Sequence, residues 1–231
     1  MSWKVLLILG STTVAFTVLA AWLAGWLRVR FEVRTPYTRK IFHFLIFSAA
    51  AALHAAGGMP AVLLLGGTVS GAVLYAVARG DGFPFYEALA RPTDAPRRTL
   101  FVLVPLVTTA LGGLAANLLF GGAAYVGYLV AGWGDAIGEP VGAALGRHRY
   151  RVPTLAGVPA TRSLEGSAAV LVAGFLAAFL GLIVAGLPAS RALSIALACG
   201  LVGAAVEAFS NHGLDNLTIQ VAVSGTAWLF L

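Results

Sequence analysis

Charge is what this chain of 231 residues has least of. Only 10% of its residues are Asp, Glu, Lys or Arg, against about 25% in a soluble domain. The acidic residues number nine. So few charges cannot coat a water-exposed surface, which excludes a soluble globular fold. Cysteine is nearly absent as well. Cys199 is the single one, and it lies in an apolar run; an intrachain disulfide and a cysteine-built metal site are both excluded. No P-loop and no protein-kinase signature occurs. The net charge of +6 does not indicate nucleic acid, because the basic residues sit in short segments between apolar runs rather than on a soluble face.

What is present is hydrophobic. Apolar residues make up 59% of the chain, and the mean hydropathy is +0.90. The fold class that follows is all-α: a polytopic integral membrane protein, with a single transmembrane domain over residues 1–231. Eight spans are expected, near 4–27, 41–57, 59–79, 99–119, 121–146, 164–188, 191–209 and 215–231. The first apolar run, Val5 to Leu27, is longer than the roughly 7–15-residue core of a signal peptide and reads as a span.

Thirteen of the fifteen basic residues fall in three segments: Arg28 to Lys40, Arg79 to Arg98, and Arg147 to Arg162. Only Lys4 and Arg191 lie outside them. The positive-inside rule then predicts cytoplasmic loops at about 28–40, 80–98, 147–163 and 210–214, with both termini outside a cell inner membrane. Most of these arginines need no role beyond topology and contact with anionic membrane lipids.

Four constellations gather at the cytoplasmic side. The first runs from Gly132 to Arg147 and holds Asp135 and Glu139, four residues apart and so on one helical face. Acids inside a membrane are functional by default. Two like charges at that spacing repel unless a divalent cation joins them. Gly134, Gly138, Gly142 and Gly146 repeat at the same period, a ridge suited to close helix packing or to a second copy of the chain. The second is Thr161-Arg162-Ser163-Leu164-Glu165-Gly166-Ser167. Ser163 is placed to cap a helix whose free N–H groups and adjacent Arg162 suit phosphate. The third is Arg39-Lys40-Ile41-Phe42-His43, where His43 stands one turn into an apolar helix. The fourth joins Glu207 to Asp215-Asn216-Leu217-Thr218 across the turn Ser210-Asn211-His212-Gly213. Carboxylates and phosphate-binding bases at one membrane face suit Mg²⁺ and transfer of a phosphoryl or nucleotidyl group to a lipid.

These four pieces, in this order, resemble the polyprenol kinase family, which includes dolichol kinase, phytol kinase and a CTP-dependent diacylglycerol kinase. That family shows Arg-Lys-x-x-His, then Gly-Asp with a following Gly-Arg, then Lys-Ser-(Leu/Trp)-(Glu/Ala)-Gly-Ser, then Glu…Asp-Asn-(Leu)-Thr. The corresponding segments here run from about residue 38 to 220. The resemblance implies a multi-helix enzyme that moves the γ-phosphate of a nucleoside triphosphate, typically CTP, to a lipid alcohol, with Mg²⁺. It implies a metal or catalytic role for Asp135, with Glu165, Glu207, Asp215 and Asn216 lining the site. With Glu139 added from its helical spacing, the expected catalytic residues are Asp135, Glu139 and Glu207, and the expected metal set is Asp135, Glu139, Glu165 and Asp215. Arg39, Lys40, His43, Arg162, Ser163, Ser167 and Asn216 would bind nucleotide or phosphate.

Two features depart from the pattern. Arg162 replaces the family's Lys, and the segment Thr154-Leu155-Ala156-Gly157-Val158-Pro159-Ala160 is long and uncharged. Phosphatidate cytidylyltransferase is the alternative, but its closing Pro-Gly-His-Gly-Gly…Asp-Arg-x-Asp segment is missing. A small ion-coupled transporter is the third reading, and the nearly uncharged outer half counts against it. Phytol, geranylgeraniol, longer polyprenols and diacylglycerol all fit an apolar groove equally well.

Overall fold

The computed structural model describes residues 3–155, 158–210 and 213–231. The chain forms two compact units, Met1–Leu106 and Val107–Leu231.

The first unit contains α1 (Trp3–Arg30), α2 (Thr35–Arg79), the short α3 (Pro84–Leu89) and the start of α4 (Leu100–Phe120). Small residues decide how α1 packs. Its buried positions are Thr13, Thr17, Ala20, Ala21, Ala24 and Gly25, one stripe at helical spacing. Thr17 and Thr68 of α2 meet there, hydroxyl to hydroxyl at 3.1 Å. At Gly25 an added Cβ would lie 3.1 Å from the backbone of Pro84 and Phe85, so α3 can press against α1 only because no side chain intervenes.

α2 is 45 residues long and carries one break, at Gly58, whose φ of 63° is non-helical. Glycine takes that conformation without a Cβ penalty, and Pro60 then lies within the first turn of the continuing helix. The expected spans 41–57 and 59–79 are therefore the two halves of one broken helix. The expected loop 80–98 is not irregular throughout, because α3 lies within it. Thr35 donates to the Glu87 carbonyl at 3.0 Å and Thr38 to that of Ala88 at 2.8 Å. Arg98 fastens the same segment through Glu87 at 2.7 Å and the Ala90 carbonyl at 2.9 Å.

The second unit contains the rest of α4, α5 (Ala124–Leu145), β1 (Arg149–Leu155), β2 (Val158–Ser163), α6 (Leu164–Val184), α7 (Ala189–Phe209) and α8 (Asp215–Phe230). α6 stops at Val184, short of the expected 188, because Gly186 takes a φ of 89° and Pro188 follows. The glycine ridge of α5 is a packing seam against α6. A Cβ on Gly134 would meet Val170 Cγ1 at 3.1 Å, and one on Gly142 would meet Ser163 Oγ at 3.0 Å and Gly166 Cα at 3.4 Å. Val130 fills hollows left by Gly174 on α6 and Gly203 on α7; a Cβ at either would sit 3.0 Å or 2.6 Å from its methyl. α8 closes on α4, with Asn216 Nδ2 donating to Thr109 Oγ1 at 2.9 Å.

Among the described residues, five stretches are long and apolar enough to cross a bilayer: Trp3–Arg30, Thr35–Arg79, Leu100–Leu145, Leu164–Val184 and Ala189–Phe209. The chain is a helical membrane protein. Two of these stretches run to 45 and 46 residues. At about 1.5 Å per residue each has the length of roughly two crossings of a ~30 Å core. α8, at 16 residues, is shorter than the roughly 20 of a perpendicular span.

Candidate active site

The site grows from the one departure from all-α structure among the described residues. Within the expected loop 147–163, β1 and β2 pair antiparallel, with Tyr150 opposite Arg162 and Arg149 opposite Ser163. Alternation in Arg149-Tyr150-Arg151-Val152 is the strand signal. Ala156 and Gly157 at its tip, like Asn211 and His212 in the turn before α8, lie outside the described residues.

The hairpin delivers Ser163 to the start of α6. Ser163 is the N-cap: its backbone is extended and its Oγ accepts the Gly166 N–H at 3.1 Å. The seam with α5 holds this helix start against Gly138, Gly142 and Gly146. The helix N-terminus and the acid-bearing segment of α5 are therefore neighbours for a packing reason. A cavity of about 250 Å³ opens between them, with Glu139, Arg149, Arg162, Ser163, Ser167 and Glu207 in its wall.

Arg162 is the hub. Its side chain is buried, ion-paired to Glu207 of α7 and, at 2.8 Å, to Asp215 at the start of α8. The same guanidinium donates to the Ser210 carbonyl at 3.1 and 3.2 Å. Asp215 is held further by the N–H groups of Gly213 and Asn216, both at 3.0 Å. Glu207 also accepts from Ser167 at 3.3 Å, and Ser167 meets the Tyr150 hydroxyl at 2.8 Å. One cation thus fixes the hairpin, α7 and α8 around one point. A lysine ammonium, with three donors and no planar fork, could not reproduce all of these contacts.

The remaining expected residues fall as follows. Asp135 is buried, one turn before the half-buried Glu139 on α5. Glu165 lies apart from the buried cluster, bound to His148 Nδ1 at 2.7 Å and to the His148 N–H at 3.3 Å. Asn216 is buried between α8 and α4. Arg39, Lys40 and His43 belong to the first unit. There Lys40 is buried, His43 stacks on Phe47 with ring centres 4.3 Å apart, and Arg39 Nη1 is buried with no hydrogen-bond partner. Four contributors escaped the sequence reading: Tyr150, Arg149, His148 and the Ser210 carbonyl. The strand alternation could have pointed to Tyr150 and Arg149; no local signal marks a backbone carbonyl 48 residues from the guanidinium it accepts.

Among the described residues no three His, Cys, Asp or Glu side chains converge enough to cage a metal ion. Of the four expected metal carboxylates, Asp135 and Glu139 share a helix face, Asp215 is engaged by Arg162 and two amides, and Glu165 is engaged by His148.

No protein-family model matches the chain. Over 128 residues it is 32% identical to the phytol kinase of Synechocystis sp., a match that takes in 52% of this chain and 53% of that protein. The chain spans about half the length of the relative it matches, and over that half it is similar to a phytol kinase.

Proposed function

We propose that this chain is a lipid-alcohol kinase, transferring the γ-phosphoryl group of CTP to the hydroxyl of a phytol, polyprenol or diacylglycerol. In this proposal it crosses the cell inner membrane eight times, with both termini outside and the transfer at the cytoplasmic face. The observation that carries the proposal is the polar cavity at the start of α6. It is walled by two acids, two arginines and a capped helix start, in a chain otherwise built for lipid. The partial similarity to a phytol kinase supports it.

In the transfer, the lipid hydroxyl oxygen forms a bond to the γ-phosphorus, the bond to the bridging oxygen breaks, and CDP leaves. The hydroxyl proton passes to solvent water. The α6 start offers its N–H groups and positive dipole end to the triphosphate, and Arg149 adds a guanidinium from the cavity wall. Arg162 positions Glu207 and Asp215, and Ser167 and Tyr150 hold Glu207 from the other side. Mg²⁺ typically takes one or two carboxylates and completes its shell with phosphate and water. Asp135 and Glu139 fit that requirement as a pair. Bound there, the ion would neutralise charge on the transferring group.

The test uses purified protein in detergent with Mg²⁺, labelled CTP or ATP, and a panel of prenols, diacylglycerol and phosphatidate. CDP plus a phosphorylated lipid is expected, and Asp135→Asn abolishes it in protein that still folds. Pyrophosphate plus a CDP-lipid would replace the kinase with a cytidylyltransferase. Full turnover by Asp135→Asn would remove Asp135 from the chemistry.

A further inference from the structure

The first unit carries a cavity unrelated to the acid cluster. It measures about 810 Å³ and is bounded by α1, the second half of α2 and the approach to α3. That volume lies within the range of about 300–1,000 Å³ typical of small-molecule sites. Its walls are almost wholly apolar, and the small residues Ala21, Gly25, Gly71 and Ala72 leave room where helices would otherwise fill the space. Trp22 and Trp26 stack along one wall with ring centres 5.7 Å apart.

The two ends of this groove differ. At one end the only polar groups are the hydroxyls of Thr17 and Thr68, which bond to each other at 3.1 Å, and Thr68 also to the Leu65 carbonyl at 2.9 Å. That end asks for hydrocarbon. At the other end Arg30 is part of the wall, and Arg79 stacks on two wall rings, 5.8 Å from the centre of Tyr75 and 5.2 Å from that of Phe83. Arg79 also donates to the Tyr75 hydroxyl at 2.8 Å. Among the described residues no carboxylate lines the groove. Two guanidinium groups at the mouth of an apolar slot complement a molecule with a long chain and an anionic head. Arg30 ends α1 in the basic segment that the positive-inside rule assigns to the anionic leaflet.

We propose that this groove binds one anionic phospholipid, its acyl chain between α1 and α2 and its phosphate at Arg30 and Arg79. The site is independent of the phosphotransfer assignment, since none of its residues belongs to the acid cluster.

Native mass spectrometry of the full chain from detergent, with dioleoyl phosphatidylglycerol or dioleoyl phosphatidylcholine added, tests it. One phosphatidylglycerol should be retained in preference to phosphatidylcholine. Gly71→Leu places a side chain into the groove at a position with no atom within 4 Å of its Cβ, so folding should be kept. Losing even two methylenes of burial is worth about tenfold in affinity, so retention should fall by at least that. Arg30→Gln with Arg79→Gln should remove the preference for phosphatidylglycerol while chain binding persists. As a second readout, phosphatidylglycerol brominated on its acyl chain should quench tryptophan fluorescence, and Trp22→Phe with Trp26→Phe should remove most of that quenching. Equal retention of both lipids, unchanged retention by Gly71→Leu, or a lipid-free dimer cross-linked through position 22 would each overturn the proposal.

Discussion

Arg162 on β2 and Glu207 on α7 form a buried ion pair, with side chains 8% and 5% exposed. Asp215 completes a triad in which one cation faces two carboxylates. Removing the cation leaves two buried acids facing each other, which costs about 3–5 kcal/mol. Arg162→Ala is therefore expected to lower the unfolding temperature in detergent sharply, and Arg162→Lys to fall between it and the parent. Unfolding of Arg162→Ala at the parental temperature would mean that the triad does not hold the hairpin and helices together.

The acid cluster was partly legible in the sequence, and the reason is local. Asp135 and Glu139 share a face at helical spacing, and Ser163 caps α6 where the Ser-x-x-Gly-Ser run begins. What could not be read was partnership across distance. Arg162 stands beside a helix start, the position of a phosphate ligand, yet its guanidinium is engaged by groups that arrive from α7 and α8. The hairpin was missed because Pro153 and the glycine-containing tip resemble a loop, while the alternating signal covers only a few residues. Some helix ends were legible, since Gly58 and Gly213 take positive φ between expected spans, but α2 starts at Thr35 rather than 41 and α6 stops at Val184 rather than 188.

Arg149 differs from Arg162. It lies exposed on the cavity wall, and its Nε donates only to the Gly146 carbonyl, at 3.3 Å. Arg149→Gln is expected to leave stability within about 0.5 kcal/mol of the parent. Loss of a charge-assisted bond to phosphate should raise the KM for nucleotide about ten- to a hundredfold. Steady-state kinetics with varied nucleotide, beside a melting curve, checks both halves. An unchanged KM would place the triphosphate elsewhere.

The seam between α5 and α6 is expected to tolerate no added volume. A Cβ on Gly138 would press on Val170 and lie 3.2 Å from the Gly166 carbonyl. Gly138→Ala should cost about 1–3 kcal/mol. On α2 the opposite holds at Gly66, where nothing lies within 4 Å of a new Cβ. Gly66→Ala should be neutral or stabilising by up to about 1 kcal/mol. Chemical denaturation of the two variants side by side decides the matter, and equal stability would refute the seam.

The loop between α2 and α4 carries its own pH dependence. Partial burial alone would raise the Glu87 carboxyl, but hydrogen bonds from Arg98 and the Gly82 N–H, together with the charge of Arg98, hold it below its ordinary value of 4.5. A depressed carboxyl stabilises the fold above its unfolded pKa and loses that contribution as pH falls through the lower folded value. Protection of amides 80–98 from hydrogen exchange should therefore hold down to about pH 4.5 and fall below it. Glu87→Gln should remove the dependence; the same acid response in that variant would assign it to another group.

The distances in sequence between Arg162 and its partners set an order of events during synthesis. Asp215 follows Arg162 by 53 residues, which at about 5–20 residues per second is a delay of roughly 3–10 s on the ribosome. For most of that interval the guanidinium has neither carboxylate, Glu207 being made only shortly before Asp215, and an uncompensated charge cannot settle beneath the membrane surface. The hairpin must wait in water until α7 and the start of α8 have been made. Completion of the triad then waits for the start of α8, and a nascent protein stalled before Asp215 would leave the Arg162 guanidinium without its second carboxylate.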